Sequence, residues 1–124
     1  MAKAGAFASS HDYHLGRFLF EYFPKGTDFP THEVPPAGEL PDAGVRAFSI
    51  DDATTTEIDD AFSVRPKEGG GWRIGIHIAA PSLAIQPGSA LADIARSRLS
   101  TVYFPGRKIT MLPDEAVDAY TLAA

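Results

Sequence analysis

The chain has 124 residues, no cysteine and a formal charge of −5 from 11 basic and 16 acidic side chains, a length that suits one domain with a core able to fold alone. Hydrophobic residues at 44% and charged residues at 22% argue against wholesale disorder, and the missing cysteines exclude a disulfide scaffold, a thiolate metal site and a cysteine nucleophile. No apolar run approaches the roughly 18 residues that cross a bilayer, the N-terminus MAKAGAFASSHDYH lacks the apolar block of a signal peptide, and a cytoplasmic protein with no membrane partner is expected.

Ser9 or Ser10 is placed to cap a helix from about His11 to Phe23. Leu15, Phe18, Leu19 and Tyr22 recur at helical spacing and form one apolar face. Phe20 and Phe23 widen that face beyond what a solvent-facing helix requires, and Pro24 and Gly26 end it. From Lys25 to Gly44 there is no periodicity, and Pro30, Pro35, Pro36 and Pro41 fall within the stretch. It is expected to be an extended linker, with a boundary near Gly44 that divides the chain into 1–44 and 45–124.

After Val45 the pattern changes to short strands. Arg46–Ile50 and Ala61–Arg65 are expected strands, and the glycine run Gly69–Gly71 makes a hairpin turn into a third strand, Trp72–Ala79. In that strand Trp72, Ile74, Ile76 and Ile78 share a face at period two. Gly88-Ser89 begins a helix over about Ala90–Leu99; Thr101–Phe104 and Lys108–Leu112 flank a Pro105-Gly106 turn; Asp114 starts a last helix. The fold class expected is α/β of the α+β type: short mixed or antiparallel strands with flanking helices. Glycine and proline together supply 21 residues, which also disfavours a helix bundle.

The most informative stretch is Ile50–Ala61, IDDATTTEIDDA, in which Asp51, Asp52, Glu57, Asp59 and Asp60 are acidic. Carboxylates this crowded raise one another's pKa unless a cation sits among them. Hard divalent cations take oxygen ligands of this kind, and a pair of such ions suits displacement at phosphorus. The alternative is that the same acidic and threonine side chains cap turns or are solvated. The spacing does not match a helix–loop–helix calcium loop.

The segments RAFSIDDATTTEIDDAFSV, WRIGIHIAAPS and PGSALADIARSRLSTVYFPGRKITMLP, taken in this order and spacing, resemble the catalytic RNB domain of the ribonuclease II / ribonuclease R exoribonucleases. The resemblance covers about Arg46–Pro113. It implies an Mg²⁺-dependent (or Mn²⁺-dependent) 3′→5′ exoribonuclease that cleaves single-stranded RNA to nucleoside 5′-monophosphates by a two-metal mechanism. It places the catalytic and metal-binding carboxylates at Asp51, Glu57, Asp59 and Asp60. Glu57 departs from the family's aspartate, and Ala80 stands where many members are acidic. Asp52 matches no catalytic position. Tyr103 matches a tyrosine that stacks on a nucleotide, and Arg98 and Arg107, with Arg96 and Lys108 near them, are candidate phosphate contacts. The resemblance further implies that this is the N-terminal portion of the catalytic domain. The remainder of that domain and the oligonucleotide-binding domains are expected in a full-length protein, and the 124 residues alone are expected to be inactive.

Two other readings stay open: a non-catalytic RNA-binding or regulatory member on the same scaffold, and a small acidic metal- or partner-binding domain. His11 and His14 lie three apart on the first helix but have no clear carboxylate partner, and His77 in the third strand suits a structural hydrogen bond. No G-x-S-x-G occurs, so a serine nucleophile has no support.

Overall fold

The computed structural model describes residues 8–122; residues 1–7, part of the stretch inspected for a signal peptide, lie outside them. The elements in order are α1 (Ser10–Tyr22), β1 (Ala47–Phe48), β2 (Asp60–Pro66), β3 (Trp72–Ile78), α2 (Ala90–Arg98), β4 (Val102–Phe104), β5 (Arg107–Ile109) and α3 (Asp114–Tyr120), with a 3₁₀ turn at Pro81–Leu83 before α2. The architecture is α+β, as expected. β1, β2 and β3 form an antiparallel sheet in that order, and β4–β5 is a separate hairpin.

Ser9 caps α1: its hydroxyl oxygen accepts the Asp12 backbone N–H at 3.1 Å, answering one of the four donors a helix start leaves open. None of the residues of α1 is buried. The helix is held instead by aromatic packing, with the Phe18 ring 5.2 Å from that of Phe104 and 4.9 Å from that of Tyr22. Phe20, on the widened face, is 82% exposed.

The segment 25–44 has no regular structure, as its prolines predict, yet part of it is packed. Phe29 and Val34 lie against the core cluster of Ala84, Leu91, Ile94 and Tyr120. The Tyr120 hydroxyl donates to the Pro35 carbonyl at 2.8 Å. Ser89 caps α2 through the Ala92 N–H at 3.2 Å, which turns Leu91 and Ile94 into that cluster. α3 follows Pro113, with Asp114 and Glu115 in its first turn, where negative charge complements the helix dipole. Its Ala116 and Tyr120 are buried.

The strand expected at Arg46–Ile50 pairs only at Ala47 and Phe48, opposite Ser63 and Phe62, so Asp51 lies in the loop beyond it and does not end a strand. In the β2–β3 ladder, Ser63 is opposite Gly75 and Ala61 is opposite His77. On this side of the sheet Ala61 and Ser63 are buried, and Ser63 Oγ shares a 2.9 Å hydrogen bond with His77 Nε2. A Cβ at Gly75 would stand 2.5 Å from Ser63 Oγ and 3.1 Å from His77 Nε2, so the glycine is what lets this pair form. The opposite side carries Trp72, Ile74, Ile76 and Ile78. They share a face as the period-two pattern predicts, and each is exposed.

Candidate functional site

The acidic loop is anchored by backbone hydrogen bonds from two distant elements. The Leu122 N–H, just after α3, donates to the Ile58 carbonyl at 2.8 Å, and the Ala79 N–H, at the end of β3, donates to the Asp59 carbonyl at 2.7 Å. A turn at its start is closed by the Thr55 N–H on the Asp52 carbonyl at 2.9 Å. These bonds bring Glu57 and Asp59 to the β4–β5 hairpin. In that hairpin Tyr103 is directly opposite Lys108, so both side chains project from the same face.

Two adjoining hollows of about 350 Å³ each meet here, sharing Glu57, Asp59 and Tyr103 in their walls. One continues over apolar groups, including Ala79, Pro81, Leu112 and Ala116. The other is polar and is closed by Thr54, Thr55, Thr56 and Lys108. Tyr103 is 72% exposed, which leaves its ring available to a planar ligand. Lys108 Nζ forms an ion pair and hydrogen bond with Glu57 Oε1. That bond, more than the other nearby negative groups, raises the Lys108 pKa above its ordinary value, against a smaller opposing effect of burial.

The predicted carboxylates do not all converge. Glu57 and Asp59 share the cleft, whereas Asp51 is exposed in the loop and Asp60 is exposed at the start of β2 opposite Ile78. Among the described residues no three acidic or histidine side chains are grouped to hold one metal ion. The β1–β2 pairing brings the two ends of the loop together through Phe48 and Phe62, but the acidic side chains do not gather there, and Glu57 has the Lys108 ammonium group as its counter-charge.

The basic residues also separate. Arg107 is exposed in β5, and Arg96 is paired with Asp93 one turn away on α2. Arg98, expected on phosphates, faces inward. Its guanidinium donates to the carbonyls of Thr27 at 2.6 Å, Asp28 at 3.1 Å and Thr110 at 3.0 Å, and it lies 3.7 Å above the Phe29 ring. Burial lowers its pKa, partly offset by Asp28. The phosphate contact at Arg98 gives way to a clasp between 27–29 and the β5 end. Backbone carbonyls leave no mark in a sequence, so this was not legible there. The Glu57–Lys108 pair spans 51 positions, and its only sequence signal is the extra methylene of Glu57.

The matches to known proteins fall on the same residues. The model of the RNB domain matches residues 43–124. DIS3-like exonuclease 2 of Arabidopsis thaliana is 43% identical over 86 residues, 69% of this chain and 8% of that protein. A second Arabidopsis thaliana protein, inactive exonuclease DIS3L2, matches with the same identity and coverage. Exoribonuclease 2 of Aeromonas hydrophila is 39% identical over 89 residues, 69% of this chain and 13% of that protein. The chain therefore spans about a tenth of the length of these relatives. With the matched region beginning just before β1 and taking in the acidic loop, the sheet, the β4–β5 hairpin and α3, this chain belongs to the RNB domain family of exoribonucleases.

Proposed function

We propose that this chain is the acidic, nucleotide-contacting part of a cytoplasmic 3′→5′ exoribonuclease that hydrolyses single-stranded RNA to nucleoside 5′-monophosphates. The observation that carries this reading is the meeting of Glu57 and Asp59 with the exposed Tyr103 ring in one cleft. An aromatic face holds any base without selecting its sequence, which is what a processive nuclease requires at the strand end. Arg107, exposed beside the hairpin turn, is the basic side chain placed to track phosphates. The relatives named exoribonuclease 2 and ribonuclease R support the reaction class.

Mg²⁺, or Mn²⁺, belongs to this reading as the cofactor of Asp51, Glu57, Asp59 and Asp60. As folded these residues do not form its site, so the reading requires Glu57 to leave Lys108 and further ligands to come from a longer protein. Such a protein would also carry the rest of the catalytic domain and its oligonucleotide-binding domains. The 124 residues alone are then expected to bind RNA without turning it over.

Fluorescence anisotropy with a labelled single-stranded oligonucleotide checks the binding half. Affinity is expected to fall about fivefold or more in Tyr103→Ala, the value of one lost base stack, with no nucleoside monophosphate released by either protein. Unchanged affinity in Tyr103→Ala, or robust release by the nuclease-free chain, contradicts the reading. For the catalytic half, the matched segment is grafted into exoribonuclease 2 of Aeromonas hydrophila. Turnover is expected to collapse in Asp59→Asn while RNA binding persists.

A second reading, a non-catalytic RNA-binding member, is favoured by one observation: a relative 43% identical to this chain is named inactive. In that case the graft binds RNA and Asp59→Asn changes nothing further.

A further inference from the structure

The carboxylate Glu57 is half-buried, its side chain 19% exposed, and among the described residues it pairs with one ammonium group, that of Lys108. Two features of the chain make this pair. Glu57 has one methylene more than the aspartates on either side of the loop, and Lys108 is delivered by the register of the hairpin, opposite Tyr103. Thr54, Thr55 and Thr56 form the rest of the polar wall and bring no charge. An ammonium group and a divalent cation compete for the same carboxylate oxygens, and the lysine also repels a metal that approaches Asp59 across the cleft.

We propose that Lys108 is the built-in counter-cation of Glu57, a positioning residue that holds this carboxylate away from a divalent ion and sets how weakly the cleft takes one. The inference deepens the reading of the cleft as a carboxylate site and rests on it. It fits a loop in which no three acidic side chains are grouped around one ion among the described residues. It also singles out Glu57, among the four matched acids, as the one whose availability depends on another side chain.

Mn²⁺ titration of the 124-residue chain, followed by the loss of the free-ion electron paramagnetic resonance signal, tests this without any assay of activity. Lys108→Met is expected to bind Mn²⁺ about three- to fivefold more tightly than the wild type, the upper part of the scale for removing one partly exposed ion-pair partner. Lys108→Arg keeps the charge and the pair and is expected to stay within about twofold of the wild type, since a guanidinium also binds a carboxylate. The gain is expected to vanish in Lys108→Met combined with Glu57→Gln. Lys108→Gln repeats the comparison with a side chain that stays polar on this strand, and circular dichroism confirms the fold of each variant. Equal Mn²⁺ affinity in the wild type and Lys108→Met overturns the inference and leaves the carboxylate-site reading standing. A gain that survives Glu57→Gln overturns it too, because the effect would then be one of overall charge. If no variant binds Mn²⁺, the inference falls, whereas the carboxylate-site reading, which takes further ligands from a longer protein, is judged by Asp59→Asn in the graft.

Discussion

The helical part of the molecule and its three-stranded sheet solve the burial of apolar surface in opposite ways. α2 and α3 turn Leu91, Ile94 and Tyr120 towards each other and are closed from outside by Phe29 and Val34 of an irregular segment. The sheet packs small and polar groups, Ala61, Ser63 and Gly75 with His77, on one side and leaves a tryptophan and three isoleucines in solvent on the other. The helical part is thus a core in the ordinary sense, whereas the sheet is held by its ladder and by the half-buried Ser63–His77 hydrogen bond. The acidic cleft lies between them, hung by backbone bonds from the end of β3 and from the residue after α3. Its geometry therefore depends on both, and damage to either is expected to reach it.

The largest effect is expected in the helical core. Leu91 is 1% exposed, and Leu91→Ala removes its methyl groups and leaves a cavity, costing about 2–5 kcal/mol by urea unfolding. That is a large fraction of what a domain of this size possesses. A cost under about 1 kcal/mol would mean that the cluster collapses around the gap and that the helices are not the rigid half. Next comes the clasp: Arg98→Lys loses the planar fork that reaches Thr27, Asp28 and Thr110 and the stacking on Phe29. About 2 kcal/mol is expected, because three charge-assisted bonds to carbonyls are weakened together. Hydrogen exchange is the sharper check, since protection of the amides near 27–35 is expected to fall before that of β2 and β3. In the sheet, Gly75→Ala forces Ser63 Oγ from its place and parts it from His77. About 1–2 kcal/mol is expected, the cost of a buried hydroxyl losing its partner, and Ser63→Ala in the same background is expected to recover much of it.

Capping, turn chemistry and periodicity were legible in the sequence because they are local. Ser9 and Ser89 cap the helices they were expected to cap, the glycine run turns the β2–β3 hairpin, and the alternation in β3 assigns its faces. Alternation tells which side chains share a face; it does not tell which face the rest of the protein covers, and here the apolar one is open. The failures share a different cause. Proline content marked 25–44 as irregular, and it is irregular, but irregular backbone offers carbonyls that a long side chain can reach from 70 positions away, as Arg98 does. Charge was legible as a cluster in the loop, yet which carboxylate meets which cation is fixed by the register of β4 on β5, a long-range fact. The site was thus visible as composition, and its wiring was not.

The smallest effect is the one that most directly tests the contrast. Ile76 is 67% exposed in the middle of β3, opposite Phe62. Ile76→Thr keeps the β-branch that suits a strand and removes apolar surface that is mostly hydrated already. Its expected cost is within about 0.5 kcal/mol, as for a surface substitution away from any special feature, against several for Leu91→Ala. The ladder partner limits the result from the other side, because Phe62 is only partly covered and loses a single cross-strand neighbour. A loss well above 1 kcal/mol would break the contrast, since it would require that Trp72, Ile74, Ile76 and Ile78 be covered in solution. Repeating the unfolding at several protein concentrations tells whether a second copy does the covering: an association-dependent loss grows with concentration, whereas one inside a single chain does not.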